Sequence, residues 1–458
     1  MHSVPDKPAE PQGLSADEVD TLLSCLKPFS NLALGVSGGA DSLCLMVLFS
    51  EWRLRTSWPG NAEVLVVDHG LRTESTKEAQ FVLDTASAHG LSAHLLTWHG
   101  EKPLSNIQET ARSARYRLIA EHMNGSGAQA LVLGHHLDDQ AETFLDRLTR
   151  GSGVSGLSAM SADEANGAAE LRLLRPLLAM RKKRLEASLR DRQLTWCEDP
   201  SNHDAKYKRS RLRRILNLLE QEGLSAEKLA VTAGHLRRSR MALDETVSEF
   251  VSRHLEHHPA GPVRLSRAAF VKLPEDLRLR LLKELAGMVT GKRPRPRLLK
   301  LQAVDAVLGQ REPVHQSLSG AVYEADNTYL WCWREPGRVP PATLTGIRHA
   351  VVWDNRYRFE PVTMGERVPD ADRLNLGPLM NAPVNARDID WPDGWPKAAF
   401  DSSPLVWSDD GQIYDLPVTV KTKLDKNNHR SSFNLERLPI RGRLSGSWEC
   451  DGDGCGEI

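Results

Sequence analysis

The residues best suited to chemistry are Ser37-Gly38-Gly39-Ala40-Asp41-Ser42. They follow an apolar run, Leu32-Ala33-Leu34-Gly35-Val36, and precede a helical stretch, Leu43 to Trp52. Two adjacent glycines let the backbone bend tightly and approach a ligand closely. The helix that follows turns its unpaired N–H groups and the positive end of its dipole toward the turn, which favours an anion there. Ser37 and Ser42 add hydroxyl donors. Asp41 would repel phosphate unless it holds a cation, and a Mg²⁺ ion bridging to phosphate oxygens is the expected one. The plain alternative is a Gly-Gly turn with an Asp/Ser helix cap. A strand before and a helix after favour the anion site. No Lys follows the glycines, so the loop is not the GxxxxGK[ST] type.

Three further blocks carry polar groups at the ends of apolar runs. Val67-Asp68-His69-Gly70-Leu71-Arg72 ends the run Val64 to Val67, and alone it could be an ordinary polar loop. Ser105-Asn106-Ile107-Gln108-Glu109 fits a capping box at the start of a helix. Asn106, Glu109, Arg112 and Arg115 recur every three residues on that helix and form a polar stripe. It is either a solvated face or a way to present Arg to phosphate or to developing negative charge. Finally, Leu133-Gly134-His135-His136-Leu137-Asp138-Asp139-Gln140-Ala141-Glu142-Thr143 joins an apolar run to a helix. His135, Asp139 and Glu142 fall on one face at i, i+4 and i+7. Acids that merely complement a helix dipole explain one carboxylate there, not the whole group. A metallohydrolase is the rival reading, but HxHxDH spacing is absent. His254, His257 and His258 read as a solvated helix end.

The elements that must position these groups alternate between short apolar runs and helical patterns. Strands are predicted at Leu32 to Val36, Val64 to Val67 and Leu131 to Leu133. Helices are predicted at Leu43 to Trp52, Thr76 to His89 and from the third strand to about Arg150. This spacing means βαβ units and a doubly wound parallel sheet, with ligands at the carboxyl ends of its strands. The chain's 458 residues suggest about three domains. The expected organisation is an α/β fold. An N-terminal extension (1–30), with a short helix near Asp17 to Leu26 after a mobile lead-in, precedes the parallel-sheet domain (31–215). A mainly helical domain (216–337) and a β-containing C-terminal domain (338–458) follow. Leu218, Leu219, Leu229 and Leu236 are core candidates of the helical stretch from Leu216 to about Leu255. Helices are also expected at Leu277 to Met288 and Arg297 to Leu308. A hairpin should turn at Asp326-Asn327.

Charge and cysteine usage narrow the class. Fifty-nine Lys and Arg against sixty Asp and Glu give a net charge of −1, so any polyanion site must be local. Such a patch is visible between Leu171 and Ile215, where fourteen cations face five acids. Its members include Arg181, Lys182, Lys183, Arg209, Arg211 and Arg213, and Lys292, Arg293, Arg295 and Arg297 form a smaller group. A solvated helix face is the alternative to a polyanion contact. Six cysteines without a CxxC pair point to a reducing, cytoplasmic setting. The polar start reads as no signal peptide, and no apolar run approaches the roughly 20 residues of a membrane span.

The loop from Ser37 to Ser42 matches SGGxDS and resembles the PP-loop ATP pyrophosphatases. With VDHGLR, NIQETARSARY, LGHHLDDQAET, Arg150-Gly151-Ser152-Gly153, Arg175-Pro176-Leu177-Leu178 and the Glu198 to Arg213 block, residues 30 to 215 resemble one branch, the tRNA(Ile)-lysidine synthases. Residues 216 to 337 follow the pattern more weakly. The resemblance implies cleavage of ATP between its α and β phosphates, with Mg²⁺. It also implies free L-lysine and a tRNA(Ile) with a CAU anticodon as substrates. C2 of the wobble cytidine is adenylated, and the lysine ε-amine then displaces AMP.

On this reading ATP meets Ser37, Gly38, Gly39, Ala40, Asp41, Ser42, Asp68, His69 and His135, with Asp41 on the metal. Asp41, Arg112, Arg115 and Asp139 serve the chemistry, and Asp139 and Glu142 recognise lysine. Arg181, Lys182, Lys183, Arg209, Arg211 and Arg213 contact tRNA. Ser210 stands where the family usually has Asn. No membrane partner is expected. Oligomeric state is not legible, a homodimer being one option. The rivals are another PP-loop tRNA-modifying enzyme such as a thiolase, which needs a reactive Cys, a small-molecule amidating ligase, and an inactive RNA-binding adaptor.

Overall fold

The computed structural model describes residues 11–70, 75–100, 107–166, 171–198, 208–292, 296–310, 313–339, 341–344, 351–361, 374–383, 389–409, 413–415, 421–422 and 433–437. The chain divides into two compact units, one up to Arg240 and one from Met241.

The first unit opens with α1 (Ala16–Leu23), capped by a Ser15–Glu18 capping box. Then come β1 (Asn31–Gly35), α2 (Ala40–Arg55), β2 (Asn61–Asp68), α3 (Ser75–Ala88), β3 (Ser92–Thr97), α4 (Ile107–Ser126), β4 (Ala130–Leu133) and α5 (Leu137–Leu148). The short α6 (Val154–Leu157), β5 (Asp163–Asn166), β6 (Leu171–Leu174), α7 (Lys182–Asp191), α8 (Lys208–Gln221) and α9 (Ala226–His254) follow, α9 running past Arg240 in sequence. Six strands form one sheet in the order β3-β2-β1-β4-β6-β5, parallel except for β5. The predicted α/β, doubly wound sheet is therefore present.

Strand alternation explains the two layers of core. Leu32, Leu34, Val64, Val66, Ala130 and Val132 are buried on one face with residues of α1, α2, α3 and α7. Their neighbours Ala33, Leu65 and Leu131 are buried on the other, with Tyr116, Ile119 and Met123 of α4. Because side chains alternate along a strand, one apolar run supplies both cores. The chain leaves β1 for β2 and β3 on one side, then returns to place β4 on the other. The crevice between β1 and β4 is thus the topological switch point, where open α/β sheets bind ligands.

Three expectations need correction. Leu14, Val19, Leu23 and Leu26 are buried in the first core, so the chain from Leu14 on is packed and not a mobile lead-in. Leu218 is 62% exposed, whereas Leu229 is buried and Leu219 and Leu236 pack against the same cluster. Gly223, with a positive φ, separates α8 from α9 where one continuous helical stretch was expected.

The second unit has a five-stranded antiparallel sheet, β7 (Leu255–His257), β8 (Val263–Ser266), β11 (Tyr329–Arg334), β10 (Ala321–Ala325) and β9 (Val314–Leu318), in that order. Helices α10 (Arg267–Lys272), α11 (Glu275–Thr290) and α12 (Leu298–Leu308) share its core. The expected hairpin is present: β10 pairs with β11 across Asp326, whose carboxylate accepts the Thr328 and Tyr329 N–H groups. Smaller antiparallel sheets lie between residues 342 and 437. Asp354 is buried between Arg334 and Arg356 and is ion-paired to both.

Candidate active site

The glycine-rich loop leaves β1 as the sequence requires. Gly38 has φ +86°, a conformation that disfavours any side chain. Its carbonyl accepts the Cys197 N–H at 3.0 Å. Gly39 is the N-cap of α2, which places Asp41 in the first turn. Ser42 Oγ accepts the Ser37 N–H at 3.1 Å and lies 3.2 Å from Ser37 Oγ, closing the loop on itself.

The loop after β4 is pressed against this turn. A Cβ at Gly134 would lie 2.7 Å from the carbonyl oxygen of Asp41 and 2.9 Å from Ser42 Cα. Only glycine permits that approach. Two residues on, His136 is the N-cap of α5 and 1% exposed. Its Nδ1 accepts the Asp139 N–H at 3.3 Å, and the Asp139 carboxylate accepts the His136 N–H at 3.2 Å. Its Nε2 faces Asp41 Oδ2 at 3.4 Å. Burial opposes charging of His136, but Asp41, Asp139 and Asp138 outweigh it and raise its pKa. Burial likewise pushes the Asp41 carboxyl up, but His136, Lys182 and Arg213 bring it below the usual carboxylate range. Asp41 is thus a carboxylate near neutral pH. Its Oδ1 is buried with no hydrogen-bond partner among the described residues. A buried, charged and unpaired oxygen is costly unless a cation reaches it, so the residues present fit a hard divalent ion at Asp41.

Along α5, Asp139 and Glu142 are both buried. Arg213 Nε donates to Glu142 Oε1 at 2.5 Å, and Glu142 Oε2 has no partner among the described residues. Burial raises the Glu142 pKa despite Arg213. Arg175, itself buried, donates from Nε to His135 Nδ1 at 3.3 Å and from Nη1 to Glu164 at 3.0 Å. Burial, assisted by Arg175, Arg112 and Arg209 against the opposing pull of Asp139, lowers His135 to about 4. Its imidazole is therefore neutral near pH 7, with Nδ1 engaged and Nε2 left to donate.

The other expected residues divide. Asp68 is buried at the end of β2, and its carboxylate accepts from Gly70 N–H (2.8 Å), Ser75 Oγ (2.7 Å) and Thr76 Oγ1 (3.1 Å). Burial raises its pKa, but these bonds outweigh that and lower it. It ties the end of β2 to the first turn of α3. His69 packs edge-on to Trp98 and accepts from Arg115. Arg112 lies over the Tyr116 ring, 5.0 Å from its centroid. Arg181 pairs with Asp138, Glu220 and Glu227, and Lys182 Nζ is 3.9 Å from Asp41 Oδ2. With Arg213 on Glu142, these three half-buried cations each lie beside a carboxylate. Lys183, Arg209 and Arg211 are exposed, and Ser210 is buried. Arg72, Ser105, Asn106, residues 199–207, Arg293, Arg295, Cys450 and Cys455 lie outside the described residues.

Sequence reasoning passed over His136, Gly134 and Arg175. The signal for His136 was its place just before the helix, at the cap. The four described cysteines offer no activated thiol. Burial pushes the Cys44 thiol up to about 12 and raises those of Cys25, Cys197 and Cys332.

A family model described as a PP-loop domain matches residues 14–219. The tRNA(Ile)-lysidine synthase of Wolbachia pipientis wMel is 35% identical over 334 residues, which is 72% of this chain and 76% of that protein. The tRNA(Ile)-lysidine synthase of Wolbachia sp. subsp. Brugia malayi (strain TRS) is 33% identical over 418 residues, 89% of this chain and 92% of that protein. Among solved structures, the U34-tRNA thiolase NcsA from Methanococcus maripaludis aligns with a TM-score of 0.43 at 18% identity, over 48% of this chain and 77% of that one. With the glycine loop and the His-Asp helix start facing each other across the switch point, and relatives aligned along most of its length, the chain belongs to the tRNA(Ile)-lysidine synthase family.

Proposed function

We propose that this protein is an ATP-dependent ligase that joins free lysine to C2 of the wobble cytidine in the CAU anticodon of tRNA(Ile). The observation that carries the reading is the meeting of Asp41 with His136 at the β1–β4 crevice. It sets an anion-binding turn beside a buried pair of carboxylates. In the first half-reaction the cytosine C2 oxygen attacks the α-phosphorus of ATP, and the bond to the bridging oxygen breaks, releasing pyrophosphate. In the second, the unprotonated ε-amine attacks C2, the C2–O bond breaks and AMP leaves with that oxygen.

Each half needs groups the crevice can supply. Residues 37 to 42 offer backbone N–H groups and hydroxyls to the departing phosphates. Magnesium, held at Asp41, would offset the charge of the leaving pyrophosphate. Lys182, near Asp41, adds a positive charge on the same side. His135, neutral and held by Arg175, is assigned to donate from Nε2 to ATP. Arg112 and Arg115 are assigned to the charge that develops at the α-phosphate. Asp139 and Glu142 are assigned to lysine, whose α-ammonium seeks a carboxylate. Glu142 Oε2 suits that role. An anticodon loop presents its bases unpaired, as attack at C2 requires. Lys183, Arg209 and Arg211 are the exposed cations proposed to meet its backbone. A thiolase reading is disfavoured by the raised pKa of every described cysteine.

The test is incubation with ATP, labelled lysine and unmodified CAU-anticodon tRNA, followed by nucleoside analysis. Label should enter the RNA only with all three present, with AMP and pyrophosphate formed. Production of ADP and orthophosphate, or sulfur in place of lysine at the cytidine, would overturn the reading.

A further inference from the structure

Away from the crevice, the first unit gathers a second set of groups with metal-binding chemistry. Glu63 lies near the start of β2, His94 in β3 and His122 in α4. One donor atom from each lies within 4.8 Å of the others. His122 Nε2 is 2.9 Å and His94 Nε2 3.4 Å from the same oxygen, Glu63 Oε2. The two imidazole centroids are 4.8 Å apart. The other carboxylate oxygen, Oε1, accepts from Ser126 Oγ at 2.6 Å.

The fold explains the gathering. In the parallel register Glu63 pairs with Ser92 and Leu65 with His94, so Glu63 and His94 share the face that α4 covers. His122 and Ser126 are one turn apart on α4 and stand over Glu63 together. The exposures grade outward: the Glu63 side chain is 11% exposed, His122 22% and His94 45%. A fixed carboxylate thus sits beneath two imidazoles, and the outer one opens to solvent. Asp68 ends the same strand five residues later, roughly 17 Å away at about 3.3 Å per residue, so this group is separate from the crevice.

We propose that Glu63, His94 and His122 bind a divalent transition-metal ion of the zinc class, with Ser126 orienting the carboxylate. Two imidazoles and a carboxylate are a recognised donor set for such ions. Tetrahedral bonds of about 2.0–2.1 Å place ligand atoms roughly 3.3–3.4 Å apart; His94 Nε2 meets this at 3.4 Å from Glu63 Oε2, and His122 Nε2, at 2.9 Å, would move back by about half an ångström. Without a metal, His122 Nε2–H can donate to Glu63 Oε2. With it, both imidazoles offer lone pairs. The fourth position faces solvent beside His94. Mg²⁺ prefers oxygen donors and is excluded. The ion clips the edge strand β3 and helix α4 to β2.

The test is a titration of the metal-free full-length protein with Co²⁺, followed by visible absorption. One equivalent should give the intense bands of a tetrahedral ion. Zn²⁺ should abolish them and Mg²⁺ should not. His94→Ala and His122→Ala should each weaken binding by about 100-fold or more, and Ser126→Ala by about 10-fold. Asp41→Asn should bind Co²⁺ as the wild type does, and His94→Ala should release pyrophosphate at the wild-type rate. Zn²⁺ should raise the melting temperature of the wild type and not of the doubly substituted protein. A wild-type titration without tetrahedral bands overturns the proposal without recourse to any variant. Unchanged Co²⁺ affinity in folded His94→Ala and His122→Ala proteins does so too.

Discussion

Two glycines in the crevice do different work, and substitution separates them. Gly39 has ordinary dihedral angles for a cap, and a Cβ there would have only Ser37 Oγ, at 3.9 Å, within reach. Gly39→Ala should therefore fold normally, with stability unchanged or raised by up to about 1 kcal/mol through the unfolded chain. Its methyl group occupies the open side of the turn where phosphates are proposed to lie. Pyrophosphate release should fall on the order of 100-fold, as misplacement by an ångström does. At Gly134 the Cβ would strike backbone atoms of Asp41 and Ser42, which cannot swing aside. Gly134→Ala should cost about 1–3 kcal/mol in stability as well as activity. Melting curves beside a pyrophosphate assay decide it. A Gly39→Ala protein with wild-type turnover would remove the phosphate site from that turn. The sequence made the first glycine pair legible, because it breaks an apolar run. The role of Gly134 depends on its approach to residues over ninety positions away, which no local pattern contains.

At the scale of elements, periodicity located β1, β2, β4, α2, α3, α11, α12 and the hairpin within a few residues. It passed over β3, an edge strand whose residues Ser92, His94 and Leu95 are exposed and so lack an apolar run. It also undervalued α1, which is only eight residues long but whose anchors are specific. Glu18 pairs with Arg184 of α7 at 2.8 Å, and the Leu14 N–H donates to Ser188 Oγ at 2.8 Å. The Arg184 guanidinium and the capping bond from Ser15 hold the Glu18 carboxyl down to about 2, against slight burial. A lowered folded-state pKa means stability that is present above the unfolded value near 4.5 and lost as pH falls through the folded one. Glu18→Gln should thus lower stability at neutral pH by no more than about 1 kcal/mol, since the pair is solvent-screened. The difference between wild type and variant should shrink from about pH 4.5 downward and vanish near pH 2. A difference constant across that range, followed by thermal melts, would mean that the ion pair does not hold α1.

On the scale of the whole molecule, the cationic stretch from Leu171 to Ile215 shows why a charge count along the chain misleads. Its apparent excess is answered by acids drawn from elsewhere in the first unit. Asp163, Glu164, Glu18, Glu51 and Asp146 meet Arg172, Arg175, Arg184, Arg192 and Lys208, and Glu142 meets Arg213. Arg181 alone joins α5, α8 and α9 through three carboxylates. These cations tie helices to one another, and β6 with the turn after it to β5. Lys183 and Arg209 are exposed and stand outside these ion pairs. The proposed RNA surface must then be narrower than the sequence implied, and the two groups should respond differently to charge reversal. Each phosphate left unneutralised in a single-stranded region makes the slope of log affinity against log salt shallower by about 0.7. Lys183→Glu and Arg209→Glu should each weaken tRNA binding at low salt and reduce that slope, while melting as the wild type does. Arg181→Glu should instead lower the melting temperature, because it sets a fourth acid among Asp138, Glu220 and Glu227. Filter binding at several salt concentrations, alongside melts, gives both readouts. If Arg181→Glu melts normally and alone flattens the salt dependence, the inward-turned cations are the RNA surface and the exposed ones are not.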